Sequence, residues 1–123
     1  MNRMATVLLV DDSKFMRGVL SKIVGEKHRV VGESGDGAEA VKTYEALKPD
    51  VVLMDVVMPE MDGITATKEI TSKHPEARII MCTSMGQEGK VKKAIEAGAK
   101  GYIVKPFQGS DVLKEIETVL GGS

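Results

Sequence analysis

The sequence has only one cysteine, Cys82, and no tryptophan among its 123 residues. A single cysteine excludes a disulfide bond within the chain. Cys82 ends the run Ile79-Ile80-Met81-Cys82, which predicts a buried strand where a thiol behaves as a small apolar side chain. We therefore expect Cys82 to be a core residue and not a reactive thiol.

An excess of charge of one sign is also missing, because 17 Lys and Arg residues face 18 Asp and Glu residues. This balance excludes the general basic field that holds nucleic acid. No apolar run approaches the ~20 residues of a membrane span, and the first residues carry no signal-peptide pattern. We expect a cytoplasmic protein without membrane insertion, in which residues 1–123 form one domain.

Five short apolar runs are present, and helical periodicity fills the stretches between them. The runs are Ala5–Val10, Arg29–Gly32, Val51–Met54, Arg78–Cys82 and Tyr102–Val104. Most are apolar at consecutive positions, which is typical of strands covered on both faces of a parallel sheet. Apolar stripes between them include Met16, Val19, Leu20 and Ile23, and later Val91, Ala94 and Ile95. Since parallel strands need helical crossovers, the sequence predicts a single-domain α/β fold, a three-layer (βα)5 sandwich with helices on both faces.

Polar side chains follow four of the predicted strands, at the edge where functional sites of such sheets lie. They are Asp11 and Asp12 after the first strand, Asp55 after the third, Thr83 and Ser84 after the fourth, and Lys105 and Pro106 after the fifth. Each has a plain structural alternative; Asp12 or Ser13, for example, suits the N-cap of the first helix. Together, however, carboxylates a few ångströms apart repel by about 4 kcal/mol per pair at an effective dielectric near 20. The sequence therefore predicts a cation among them.

Carboxylate oxygens favour a hard cation such as Mg²⁺, which keeps open positions for a phosphate oxygen. Both histidines, His28 and His74, lie in polar loop contexts and are expected to be solvated, so no Cys/His cluster supports zinc. Lys105 adds a positive charge suited to the same phosphate. This chemistry indicates phosphoryl transfer, with Asp55 as the acceptor because Asp11 and Asp12 adjoin each other as a metal pair.

Four motifs in this order resemble the receiver domains of two-component response regulators. They are Val10–Ser13, Met54–Gly63, Thr83–Ser84 and Val104–Phe107, and the resemblance spans the whole chain. Within the family the sequence is most similar to the single-domain chemotaxis regulators. The resemblance implies a flavodoxin-like fold with the strand order 2-1-3-4-5.

The resemblance also implies a ligand set for Mg²⁺ and an acceptor. Asp12 and Asp55 ligate the metal directly with the Val57 carbonyl, and Asp11 acts largely through water. Asp55 receives the phosphoryl group from a phosphohistidine of a sensor histidine kinase. Metal and phosphate chemistry would then share one pocket.

The remaining roles implied by the resemblance concern the phosphate and the response to it. Val57, Ser84 and Lys105 contact the phosphate, and Lys105-Pro106 is a cis peptide. Thr83 and Tyr102 form the switch that remodels the surface of helix four, strand five and helix five. Spacing alone favours a different interpretation of Tyr102, a half-buried aromatic of an edge strand with a wet hydroxyl.

The implied function is a stand-alone monomeric regulator that catalyses only its own phosphorylation and dephosphorylation. Its expected partners are a sensor histidine kinase, a flagellar motor switch protein and a phosphatase. The phosphatase is expected because the apolar Val57 and Met85 predict slow self-dephosphorylation. Whether Lys90, Lys92 and Lys93 contact a partner or form a solvated face stays open.

The main alternative is a phosphorelay intermediate that passes phosphate to a second histidine protein. A flavin protein is disfavoured because Asp11-Asp12 would repel a phosphate after the first strand. A Mg²⁺ phosphatase is disfavoured because 123 residues leave no room for a substrate-covering insertion.

Overall fold

The computed structural model of the protein describes residues 4–121, in which five strands alternate with five helices. The elements are β1 (Thr6–Val10), α1 (Lys14–Val24), β2 (Arg29–Ser34), α2 (Gly37–Leu47), β3 (Val51–Asp55), α3 (Gly63–Lys73), β4 (Ile79–Ser84), α4 (Glu88–Glu96), β5 (Gly101–Lys105) and α5 (Gly109–Val119). The predicted (βα)5 architecture is confirmed. Residues 1–3 and 122–123 lie outside the described residues, so the domain bounds 1–123 stay a prediction.

The five strands form one parallel sheet in the order β2-β1-β3-β4-β5, as the family resemblance implied. β1 pairs with both β2 and β3, so the chain crosses between the two sides of the sheet beside β1. Such a switch point opens a crevice beyond the carboxyl ends of the strands. In this sheet the crevice lies where β1 and β3 end.

The sheet separates two apolar cores because successive strand side chains point to opposite faces. Leu8 and Val10 of β1 pack on one face with buried residues of α2, α3 and α4. Val7 and Leu9 pack on the other with buried residues of α1 and α5. This two-sided burial explains why the strands are apolar at consecutive positions, and it produces the predicted three layers.

Cys82 and His28 test two predictions about burial. Cys82 is buried in the core beneath α1 and α5, as predicted, and desolvation raises the pKa of its thiol to about 12. The prediction that His28 is solvated is wrong, since only 5% of the residue is exposed. Its polar neighbours suggested a wet loop, but the turn between α1 and β2 folds its ring against β1, where Nδ1 accepts a hydrogen bond from the Ala5 amide at 3.0 Å.

Within residues 4–121, every helix falls short of the length and apolar character needed to cross a bilayer.

Candidate functional site

The carboxylates of Asp11, Asp12 and Asp55 meet at the carboxyl ends of β1 and β3. Each offers one oxygen that lies within 4.8 Å of the other two. Their environments differ, because Asp11 is buried, Asp55 is half-buried and Asp12 is exposed. The structure therefore brings together the three acidic side chains that the sequence predicted, with an open side at Asp12.

Asp11 is held through four of its polar atoms. Its amide donates to the Ser34 carbonyl at 3.1 Å, and its own carbonyl accepts from Arg17 Nη1 at 2.6 Å. Oδ1 accepts from the Ser13 amide at 2.8 Å, and Oδ2 accepts from Lys105 Nζ at 3.2 Å. A residue held through its backbone and through both carboxylate oxygens is fixed in orientation before any ligand arrives.

The N-cap of α1 is Ser13, whose hydroxyl accepts from the Met16 amide at 3.1 Å. This contact resolves an alternative that the sequence left open, in which Asp12 or Ser13 would cap the helix. The Asp12 carboxylate is not the cap and lies toward the acidic pocket. Helix capping therefore does not explain the second aspartate of the doublet.

The backbone after Asp55 is packed tightly against the start of α3. The Gly63 amide donates to the Val56 carbonyl at 2.8 Å, and Asp62 caps the helix by accepting from the Thr65 amide at 2.8 Å. A Cβ atom added at Gly63 would collide with the Asp55 carbonyl oxygen. Glycine at this position is therefore required for the close approach that places the Asp55 backbone.

Lys105 links the two inner carboxylates, with Nζ at 3.2 Å from Asp11 Oδ2 and 3.5 Å from Asp55 Oδ2. Desolvation by burial is the largest cause that raises the pKa of Asp55; Asp11 adds to the rise and Lys105 opposes it. Desolvation lowers the pKa of Lys105, but the charges of Asp55 and Asp11 outweigh it, so the pKa lies above its ordinary value. The pocket thus holds more negative charge than one ammonium group balances.

The residues present fit a hard divalent cation. Three carboxylate oxygens within 4.8 Å of one another match the all-oxygen ligation that Mg²⁺ prefers. The exposed Asp12 leaves one side accessible, as a metal that keeps water and phosphate ligands requires. The donor set alone gives no reason for a softer metal.

The residues that the family resemblance assigned to switching, Thr83 and Tyr102, line a cavity of about 250 Å³ next to this pocket. Thr83, which is buried, and Ser84, which is exposed, line it from the end of β4. Tyr102 lines it from β5 with 46% of its surface exposed. The other lining residues are Glu88, Val91 and Val104. The cavity therefore connects the end of β4 with the outer surface of α4 and β5.

The remaining predicted positions lie at the rim or the surface. Val57 is 52% exposed and Met85 is 73% exposed. The peptide bond between Lys105 and Pro106 is cis. The α4 residues Lys90, Lys92 and Lys93 are all exposed.

Sequence reasoning missed two residues that build this site, Arg17 and Gly63. Arg17 resembles any polar position of an amphipathic helix, and nothing in the sequence indicates that it reaches the Asp11 carbonyl. Gly63 ends the Met54–Gly63 motif, but the motif does not show that its missing side chain makes room for Asp55. The signal that could have indicated the role of Gly63 is its position directly after an aspartate suited to cap a helix.

Comparisons with known proteins agree with this geometry. Residues 7–117 match the family described as response regulator receiver domain. The chain is 54% identical over 114 residues to the chemotaxis protein CheY of Halobacterium salinarum, covering 93% of this chain and 95% of that protein.

Two solved structures show the same fold. One is the response regulator domain of Thermotoga maritima CheB, which is 39% identical with a TM-score of 0.89, covering 97% of this chain and 98% of that one. The other is CheY in the CheX-CheY-BeF3-Mg complex of Borrelia burgdorferi, which is 38% identical with a TM-score of 0.88, covering 94% of this chain and 88% of that one. The chain belongs to the response regulator receiver domain family.

Proposed function

We propose that the chain is a cytoplasmic regulator of chemotaxis that accepts a phosphoryl group on Asp55 from a sensor histidine kinase in a Mg²⁺-dependent reaction. The observation that supports this most directly is the joint placement of Asp11, Asp12, Asp55 and Lys105. Stability alone does not favour three neighbouring carboxylates, whereas phosphoryl transfer needs metal ligands, an acceptor and a compensating cation.

In the proposed reaction an Asp55 oxygen attacks the phosphorus of a phosphohistidine. The phosphorus–nitrogen bond breaks, and its electron pair stays on the imidazole nitrogen of the donor. Lys105, now 3.5 Å from Asp55 Oδ2, is close enough to pair with an oxygen of the transferred group. Asp12 and Asp55, with Asp11 through water, would hold Mg²⁺, which supplies neutralisation of the charge on the phosphoryl oxygens.

The output step uses the cavity beside the pocket. Phosphorylation adds about −1.5 to −2 charges near neutral pH. We expect the hydroxyl of Thr83, a buried residue near the end of β4, to donate a hydrogen bond to the phosphate. Movement of Thr83 toward the phosphate leaves room for Tyr102 in the cavity of about 250 Å³ that both residues line. A change of population from 1:99 to 99:1 requires phosphorylation to favour the active state by about 5.5 kcal/mol.

The surface altered by this movement carries exposed apolar side chains. Ile95 of α4 is 53% exposed, and Tyr102 and Val104 of β5 are 46% and 37% exposed. Exposed apolar groups flanked by lysines are suited to bind a partner. We assign this surface to a flagellar motor switch protein, and we expect a separate phosphatase to end the signal.

Two relatives support the proposed roles in chemotaxis and Mg²⁺ binding. The Halobacterium protein is named a chemotaxis protein. The Borrelia relative was crystallised with CheX, BeF3 and Mg. We further propose that the chain is a monomer and that it catalyses only its own phosphorylation and dephosphorylation.

Acetyl phosphate labelling tests the acceptor and the metal. Wild type should gain the mass of one phosphoryl group, and Asp55→Asn or excess EDTA should abolish the gain. Asp62→Asn is the matched control, because it changes a carboxylate of the same rim whose capping role asparagine also fills. Full labelling of Asp55→Asn would show that another residue is the acceptor, and full labelling in EDTA would remove the metal from the mechanism.

Partner capture tests the switch. Thr83→Ala and Lys105→Met should permit some phosphorylation but reduce phosphate-dependent binding of the motor protein. Equal phosphate-dependent binding by wild type and both variants would rule out this route. Transfer of label from Asp55 to a second histidine protein, without motor binding, would identify the phosphorelay alternative.

A further inference from the structure

We propose that Arg17 is a positioning residue that holds the β1–α1 loop in the conformation needed to bind the divalent cation. The proposal rests on the proposed function of the acidic pocket, because it assigns Arg17 to the placement of that pocket's ligands. Arg17 lies on α1, one turn beyond the Asp11-Asp12 doublet, at a position for which the sequence alone indicates no role.

The guanidinium of Arg17 makes two contacts in different directions. Nη1 donates to the Asp11 carbonyl at 2.6 Å, and Nε donates to Glu33 Oε1 of β2 at 2.9 Å. The Arg17 side chain is 18% exposed and the Glu33 side chain 45% exposed, so the brace lies at the edge of the protein with the arginine mostly covered. One side chain thereby joins a helix, the end of β1 and the neighbouring strand.

The Asp11 carbonyl matters because it belongs to the peptide plane that leads into Asp12. Its direction sets ψ of Asp11, and so the position of the Asp12 nitrogen and Cα. Asp11 itself has other anchors, its amide on Ser34 and its Oδ1 on the Ser13 amide. Asp12 is the exposed carboxylate of the trio, and the peptide bond from Asp11 is one of the two backbone links that place it.

Charge and positioning predict opposite effects when Arg17 is removed. A positive charge near the pocket repels a divalent cation, so its loss alone would tighten Mg²⁺ binding. Loss of a positioning contact instead weakens binding, and partners of this kind contribute roughly ten- to a hundredfold in metal affinity. The direction of the change therefore separates the two effects.

Titration calorimetry with MgCl₂ on the full chain measures this direction. Arg17→Met should weaken Mg²⁺ binding about tenfold or more. Arg17→Lys keeps the charge but has no planar fork to span both acceptors, so it should give an intermediate loss. Lys14→Met is the control, since it removes one positive charge from an exposed side chain of α1 and should leave binding unchanged or tighter.

The thermal unfolding midpoint without metal checks that each variant is folded at the titration temperature. Where Arg17→Met is unfolded, the charge-conserving Arg17→Lys decides, because weaker binding by a folded protein supports the proposal. Unchanged or tighter binding by the folded Arg17 variants would overturn the positioning role alone. Absence of Mg²⁺ binding by wild type would overturn the metal site of the proposed function, and the positioning role with it.

Discussion

Replacement of Asp55 by asparagine should stabilise the metal-free protein, although it removes the proposed acceptor. Asparagine keeps the shape of the side chain and removes its charge from a half-buried position. Lys105 stays paired after the change, because its Nζ is 3.2 Å from Asp11 Oδ2. The substitution therefore creates no unpaired buried charge.

The expected magnitude follows from the distances in the pocket. Lys105 at 3.5 Å attracts the Asp55 carboxylate by about 5 kcal/mol at an effective dielectric of 20. Asp11, within 4.8 Å, repels it by about 3.5 kcal/mol or more, and the exposed Asp12 adds a smaller, solvent-screened repulsion. These effects nearly cancel, so the cost of desolvating the carboxylate decides the sign. We expect Asp55→Asn to raise the free energy of unfolding by about 1–2 kcal/mol.

The pH dependence has a defined sign. The pKa of Asp55 in the folded protein is raised, chiefly by desolvation, so the unfolded chain ionises first as the pH increases. The cost of the charge accordingly develops between the ordinary pKa, about 3.9, and the raised folded pKa, and it is complete above the latter. The advantage of Asp55→Asn should be largest near neutral pH and should shrink as the pH falls toward about 4.

Urea denaturation in EDTA, followed by circular dichroism from neutral to acidic pH, measures this difference. Asp62→Asn serves as control, because its exposed capping carboxylate has no part in the pocket. Mg²⁺ should reverse the order at neutral pH by stabilising wild type more than Asp55→Asn. A less stable Asp55→Asn protein in EDTA at neutral pH, or a gap that does not shrink on acidification, would refute this reasoning.

Two further predictions concern phosphate lifetime and packing. Val57→Asn combined with Met85→Glu should accelerate decay of the phosphorylated protein, because both wild-type side chains are apolar at the rim and cannot orient water; a decay rate equal to that of wild type in both single variants and the double variant, measured in a radiolabel chase, would contradict this. Gly63→Ala should destabilise the protein by about 1–3 kcal/mol in urea denaturation, because its Cβ would meet the backbone of the acceptor. Gly18→Ala, at a helical position with nothing within 4 Å of the added Cβ, should instead stabilise it by about 0.5–1 kcal/mol; equal effects of the two changes would show that crowding at Gly63 is not limiting.

Much of the fold could be predicted because local sequence carries its own periodicity. Runs such as Val51–Met54 are apolar at consecutive positions, and the sheet buries them on both faces. Parallel strands place their carboxyl ends at one edge, so Asp11 and Asp55 were expected at the same rim once the strands were identified. The two carboxylates meet there because β1 and β3 are neighbours in the sheet. The strand order came from the family resemblance and is confirmed.

Other features depended on how the helices dock. Ile95 belongs to the apolar stripe predicted for α4, yet it is 53% exposed, whereas Ala94 of the same stripe is buried. His28 has polar neighbours in sequence, but packing against β1 buries it and pairs its Nδ1 with the Ala5 amide. The residue that pairs with His28 is therefore distant from it in sequence.

The features of the site also divide into those that follow from the sequence and those that depend on how the elements dock. The sequence by itself determined which functional groups reach the rim, since each follows a strand directly. Only the tertiary structure decided that Ser13 caps α1 in place of Asp12, and that Arg17 joins the Asp11 carbonyl to Glu33, which lies 16 residues after Arg17 in the sequence. Periodicity fixes the face of an element on which a side chain lies, whereas the atom that it contacts is set by the docking of one element on another.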